Sequence, residues 1–408
     1  MVDQFKFLSC RANRVEPSPI RETVGKIAEY QKRGVRVISL AAGDPDPNLI
    51  PREALGEIAK EVLEKEPRSV TYSPTTGIPK LKEEVSKFVE KYDGVRAPPE
   101  NIVITVGGQE ALDLVGRMLI DPGDVLITEN PSYVNTLLAF KQFGAQITGV
   151  PVDEEGMKTD ALENTVKKLV NAGKKIKAIY TIPVGHNPMG VTMSLERRKH
   201  LLEIASAYDL LIIEDNAYNY LRYEETNIPT LKSMDKEGRV IMEGTLSKVI
   251  GTGFRVGWII ADGLILEKIA TAKQPSNMCT PSLSQFIAYE YLKRGYFEKY
   301  HKEAVKVYRE KKDAMISALE ENLNEAKYTK PIAGMFIMLW LPKSCIGKEF
   351  AGELLKRHHV AVVPGEPFYT DESGKNTVRL NFSRPSKKEI AEGIEKLAGL
   401  YREVSIRV

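Results

Sequence analysis

Lys248 stands in the run Thr245-Leu246-Ser247-Lys248-Val249-Ile250-Gly251-Thr252-Gly253-Phe254-Arg255, a lysine among hydroxyls and glycines with an arginine seven positions on. A lysine amine forms a Schiff base with an aldehyde, while hydroxyls and a guanidinium fork hold a phosphate dianion. The segment therefore suits a covalently held phosphorylated aldehyde, which is the chemistry of pyridoxal phosphate. Its plainer alternative is a solvated lysine in a glycine-rich loop. Other positions must decide between the two.

Leu210-Leu211-Ile212-Ile213-Glu214-Asp215 reads as an apolar strand ending in carboxylates, with Tyr218 three positions beyond Asp215. A carboxylate there can keep a pyridine nitrogen protonated, and a phenol can bond the ring oxygen. Turn capping by Asp215 and packing by Tyr218 is the alternative. Tyr180-Thr181-Ile182-Pro183-Val184-Gly185-His186-Asn187-Pro188-Met189-Gly190 carries a strand into a turn displaying Asn187, whose amide could donate to the same oxygen; such a turn is also ordinary loop chemistry. Gly107-Gly108-Gln109 opens a helix after the run Ile102 to Val106, so bare backbone amides and the helix dipole would attract a phosphate. Tyr133, after the run Val125 to Thr128, could stack on a pyridine face or simply pack. Tyr72, in Thr71-Tyr72-Ser73-Pro74, could reach a phosphate or lie in a surface loop. Arg379, in Thr377-Val378-Arg379-Leu380-Asn381-Phe382, could grip a carboxylate bidentately or point to water.

The elements that must position these groups alternate. Short β-branched runs (Ile102 to Val106, Val125 to Thr128, Ile176 to Ile182, Leu210 to Ile213, Val240 to Met242) are separated by amphipathic stretches at Ala111 to Leu119, Thr136 to Phe143 and Leu195 to Ala207. This pattern predicts an α/β domain with a mostly parallel sheet and helices on both faces, ligands gathering beyond the carboxyl ends of the strands. Val256 to Ala261 reads as a further strand, set antiparallel. A 3.6-residue period from Phe297 to Leu323 predicts one long helix, followed by strands at Met335 to Leu341, Val360 to Val363 and Thr377 to Phe382 and helices at Glu349 to Arg357 and Lys387 to Tyr401. The expected division is an N-terminal segment over 1–50 packing with the smaller domain, a large domain over 51–320 and a small α+β domain over 321–408.

Composition narrows the function classes. Among 408 residues, 58 basic and 55 acidic side chains leave a formal charge of +3, with no recurring basic block to mark a nucleic-acid or membrane surface. Small anionic metabolites suit such a surface better. Three widely spaced cysteines form no disulfide framework or CxxC pair, so a reducing cytoplasm is expected. Residues 1–8 carry Asp3, Gln4 and Lys6 where a signal peptide would be apolar, no run is long enough to span a bilayer, and no spacing of histidines with carboxylates makes a metal site.

Five signals fall at strand ends in one order: Gly107-Gly108, Tyr133, Asn187-Pro188, Asp215 with Tyr218, and Ser247-Lys248. With Pro17-Ser18-Pro19-Ile20-Arg21, Tyr72-Ser73-Pro74, Gly253-Phe254-Arg255 and Pro364-Gly365-Glu366-Pro367-Phe368-Tyr369, they make the chain resemble, nearly end to end, the class I/II aminotransferases of pyridoxal-phosphate fold type I. Within this aspartate aminotransferase superfamily it is most similar to the kynurenine/2-aminoadipate aminotransferase subgroup. The resemblance implies Lys248 as the Schiff-base lysine, Asp215 on the ring nitrogen, Asn187 and Tyr218 on the ring oxygen, and Tyr133 stacked on the ring. It implies Gly108, Gln109, Thr245, Ser247 and Arg255 on the phosphate, with Tyr72 added by the neighbouring subunit of a homodimer. Arg379, with Gly43 and Asn187, would receive the substrate's α-carboxylate, and 2-oxoglutarate would be the acceptor.

Four positions depart from the family pattern. Gly108 and Thr245 stand where serine is frequent, Ala42 stands where a second glycine is frequent, and Arg14 is one position off the register of an arginine that can meet a side-chain carboxylate. Two rivals accompany the transaminase reading. A β-lyase or cyclising synthase shares the machinery, since a fold does not dictate its reaction. A ligand-sensing regulator would need a DNA-binding module, for which the chain leaves no room.

Overall fold

The computed structural model describes residues 3–224, 228–371 and 373–406. Its centre is an eight-stranded sheet in the order Ile102–Thr105, Gly257–Ile260, Val240–Thr245, Leu211–Asp215, Ile176–Thr181, Val125–Asn130, Gln146–Asp153, Gly156–Met157. The pairings from Val240–Thr245 through to Gln146–Asp153 are all parallel. Gly257–Ile260 runs antiparallel to both its neighbours, as its sequence suggested.

Alternate residues of these strands enter different apolar clusters, which is why the strands read as continuous hydrophobic runs. Ile213 and Ile241 pack with Ala111, Leu112 and Val115 of the helix Gly107–Leu119. Ile179, Ile212 and Val240 pack with Leu162, Val166, Leu201 and Ile204 of the helices Thr159–Asn171 and Leu195–Ala207. Toward the Ile102–Thr105 edge a third cluster joins Trp258 and Ile260 to the helices Arg52–Lys65, Pro79–Asp93 and Ser282–Lys293. Local signals set the ends of such helices: Pro79 supplies a ready-made helical φ at the first turn of Pro79–Asp93, and Gly94 closes it with φ 69°.

Two strands extend further than their apolar runs indicate. Leu211–Asp215 and Val240–Thr245 include their polar terminal residues, so Asp215 and Thr245 are the last strand residues before the loops. Gln146–Asp153 is a strand that the apolar periodicity does not announce, because Gly149 and Pro151 interrupt it near the sheet edge. The helix Tyr296–Asn322 confirms the long amphipathic stretch.

Beyond it, Phe336–Trp340, Thr377–Asn381 and Val363–Pro364 form an antiparallel sheet. The N-terminal segment joins this part of the chain: Ile38 and Ser39 pair in parallel with Val360 and Ala361. A buried ion pair anchors the same segment to the long helix. Lys311 Nζ donates to Asp46 Oδ2 at 2.5 Å and to the carbonyl of Ser383 at 2.8 Å.

Candidate active site

The carboxyl ends of Leu211–Asp215 and Val240–Thr245 open into a cavity of about 440 Å³, within the range of small-molecule sites. Gly108, Gln109, Tyr133, Asp215, Tyr218, Thr245, Ser247, Lys248 and Arg255 all line it, although they come from separate stretches of chain.

Lys248 Nζ donates to the carbonyl of Gly43 at 2.8 Å and lies 5.6 Å from the centroid of the Tyr218 ring. Burial pushes its amine down to about 8, and Arg379 and Arg255 act in the same direction against the opposing charges of Asp44 and Asp215. A substantial neutral fraction near neutral pH is what a nucleophilic or proton-moving lysine needs. Asp215 is shifted upward by burial, and hydrogen bonds oppose that shift: Tyr180 Oη donates to Oδ2 at 2.7 Å and the Ala217 N–H to Oδ1 at 3.2 Å.

A different chemistry marks the start of the helix Gly107–Leu119. Arg255 donates from Nη2 to the Val106 carbonyl at 3.0 Å and from Nη1 to the Thr252 carbonyl at 3.3 Å and to Ser247 Oγ at 3.5 Å. Thr245 Oγ1 donates to Ser247 Oγ at 2.9 Å. A guanidinium, two hydroxyls and a helix amino terminus make a set of anion donors. Cavity walls with this anion site, the carboxyl of Asp215 and the amine of Lys248 fit the three recognisable parts of pyridoxal phosphate: its phosphate, its ring nitrogen and its aldehyde.

Asn187 and Arg379 form the wall behind Tyr218. Arg379 is 1% exposed and lies 4.2 Å from the Phe336 ring centroid. Its Nη1 donates to Asn187 Oδ1 at 2.9 Å and its Nη2 to the Ala41 carbonyl at 2.9 Å, while Nε has no partner. Asn187 Nδ2 in turn donates to Tyr218 Oη at 3.4 Å. Burial lowers the Arg379 guanidinium to about 10, a value at which it keeps its charge near neutrality. Tyr72 is not brought to this cavity within one chain; it is 80% exposed.

Several residues in or beside the cavity escaped the sequence reading. Tyr180, the phenol on Asp215, had a signal in being the one aromatic residue in Ile176–Thr181. Glu243 had one too, as a charged residue inside Val240–Thr245. Arg21 lines the cavity, whereas Arg14 has its Nη1 within 2.8 Å of the position a Cβ on Gly144 would take. The signal that could have found it is the motif Pro17-Ser18-Pro19-Ile20-Arg21, which ends on Arg21, whereas Arg14 is one position off the register of the family's arginine. Among the described residues no group of three or more His, Cys, Asp or Glu side chains is placed to hold a metal ion, and no helix is long and apolar enough to cross a membrane.

The family model of aminotransferases of class I and II matches residues 35–397. The chain belongs to the class I and II aminotransferases. This aminotransferase is 42% identical over 405 residues to aromatic-amino-acid aminotransferase 1 of Thermococcus litoralis, covering 98% of the chain and 95% of that protein. Among solved structures, an archaeal alanine:glyoxylate aminotransferase is 64% identical with a TM-score of 0.97, covering 98% of this chain and 100% of that one. The kynurenine aminotransferase of Pyrococcus horikoshii, solved with PMP and kynurenine, is 40% identical with a TM-score of 0.93 and 98% coverage of both chains. The fold is that of the pyridoxal-phosphate aminotransferases, and so is the cofactor class of the family.

Proposed function

We propose that this aminotransferase moves an amino group from an aromatic, kynurenine-like or 2-aminoadipate-like L-amino acid to 2-oxoglutarate in two half-reactions, with Lys248 as the residue that moves the Cα proton. The observation that carries the reading is the partly buried Lys248 amine, lowered to about 8, in one cavity with Asp215 and the Arg255 anion site. When bound, pyridoxal phosphate supplies an aldehyde for the lysine and substrate amines and a protonated ring that accepts the electrons left when Cα loses its proton.

The chain's own residues divide the remaining work. Asp215 holds a proton on the ring nitrogen, and Tyr180 fixes its carboxyl by donating to Oδ2. Gly108, Gln109, Thr245, Ser247 and Arg255 would hold the phosphate, Tyr133 would pack on the ring, and Asn187 and Tyr218 would hydrogen-bond its oxygen. Arg379, reached through Asn187 and close to the Gly43 loop, binds the substrate's α-carboxylate with the Nε that has no protein partner. The segment 1–50 and the small domain over 321–408 close the substrate side of the large domain over 51–320. Tyr72, exposed in one chain, completes the phosphate site of the partner in a homodimer. Balanced charge and three unpaired cysteines suit a cytoplasmic protein without nucleic-acid partners.

A second donor and acceptor pair, alanine with glyoxylate, is favoured by the 64% identical relative named for them. One panel separates the readings: aromatic amino acids, kynurenine, 2-aminoadipate and alanine, each offered with 2-oxoglutarate and with glyoxylate, while the cofactor absorbance is followed through each half-reaction. Preference for 2-oxoglutarate with aromatic or aminoadipate donors is the expected outcome. Turnover confined to alanine and glyoxylate would establish the second reading instead. Release of ammonia without an oxo acid would overturn both.

A further inference from the structure

Glu243 has no part in the reading above. It lies on Val240–Thr245 directly across from Asp215, paired with it in parallel register, so both side chains leave the sheet on the same face. That face is the one covered by the helix Gly107–Leu119, because Ile213 and Ile241, two residues earlier on each strand, pack against it. Glu243 is 3% exposed, lines the cavity, and neither carboxyl oxygen has a hydrogen-bond partner. Its head fills the space in front of Gly108: a Cβ there would lie 1.9 Å from Oε1 and 2.6 Å from Cδ. The bare backbone at Gly108 and the carboxyl of Glu243 are thus one steric arrangement.

A buried carboxylate without a donor is among the most costly groups a protein can hold, and it takes up a proton instead. The groups around Glu243 reinforce this. Asp215 opposes a second negative charge, and the helix places Gly108, which has no side chain, against the carboxyl. Lys248 and the Asn216 N–H are the groups that favour ionisation, while the Tyr220 phenol is itself held neutral by burial, with Asp93 and Glu243 adding to the effect. Burial and Asp215 outweigh them, so the Glu243 carboxyl is displaced well above the usual carboxylate range.

We propose that Glu243 is a positioning residue: a neutral carboxylic acid at physiological pH that directs its proton toward Asp215, so that two carboxyls on adjacent strands hold one proton between them. Asp215 is then the ionised member of the pair, oriented by Glu243 on one side and Tyr180 on the other. The consequence for the cofactor's ring nitrogen rests on the proposed function, but the shared proton does not.

Infrared spectroscopy on the full-length holoenzyme, and on the same chain after cofactor removal, tests the proposal with [¹³C]glutamate labelling. Near neutral pH, a neutral-carboxyl band that moves with the label and disappears in Glu243→Gln is expected. In Asp215→Asn the pH midpoint of that band falls, because the opposing charge is gone. The bound cofactor's visible absorbance gives a second readout. Glu243→Gln, which keeps a donor, leaves its pH midpoint unchanged, whereas Glu243→Leu raises it by more than about half a unit as Asp215 acts with its full charge. The proposal is overturned if no label-sensitive neutral band survives above about pH 6, or if Glu243→Leu titrates like the wild type. Should the chain take up no cofactor, the proposed function fails, and the infrared measurement on the chain still decides the state of Glu243.

Discussion

Lys248 and Asp215 are ordinary side chains made unusual by where the chain puts them. With its amine at about 8, Lys248 is mostly protonated below that pH and mostly neutral above it. Because proton removal from Cα needs the neutral form, kcat is expected to rise with pH and level off above about 8, a profile that steady-state assays across pH will show. Lys248→Ala should abolish turnover while the Arg255 site still retains cofactor, measured by equilibrium dialysis; wild-type turnover in that variant would remove the residue from the mechanism. For Asp215→Asn, loss of the charge on the ring nitrogen predicts a fall in kcat of about 10²-fold or more, with far less change in KM. An unchanged kcat would count against its role.

At the scale of elements, the site depends on backbones that come closer than side chains permit. Gly257 opens its strand between Thr245 and Thr105, and a Cβ on it would meet the Gly244 carbonyl oxygen and the Gly107 carbonyl carbon, each at 2.8 Å. Neither backbone can retreat, since Gly244 belongs to the central sheet and Gly107 begins the helix beside Arg255. Gly257→Ala should therefore cost about 2 kcal/mol in a denaturant melt and weaken cofactor binding, because the strain pushes on the anion site. A variant as stable as the wild type, with unaltered cofactor affinity, would show that the turn moves freely.

The whole molecule supplies what no single element has. Arg379 reaches Tyr218 only because Thr377–Asn381, the Asn187 turn and the N-terminal carbonyl of Ala41 converge. The proposed crossing of the exposed Tyr72 into a partner's phosphate site belongs to this scale. Hybrid dimers made from Lys248→Ala and Tyr72→Ala chains test it: if Tyr72 crosses the interface, one of the two sites has both native residues. Mixing and reassembling the two chains should then restore up to about half of wild-type activity per dimer. If Tyr72 serves its own chain, or no site, the mixture will be no more active than its parts.

Much of this protein was legible in one dimension. Parallel strands buried on both faces must be written as apolar runs, and loops that carry chemistry at their carboxyl ends must carry polar residues there. Lys248, Asp215, Asn187, Tyr133 and the Gly107-Gly108 turn therefore stood out at strand ends. The family resemblance added the order in which they belong together. What the chain could not display in sequence was distance across the sheet. Glu243 and Asp215 are far apart along the chain, with the helix Leu231–Met234 between them, yet they face each other on neighbouring strands. Arg21 enters the cavity while Arg14 turns away toward Gly144. Register and helix packing decide such neighbours, and burial then alters their proton affinity, because desolvation depends on every group around a side chain and not on its place along the chain.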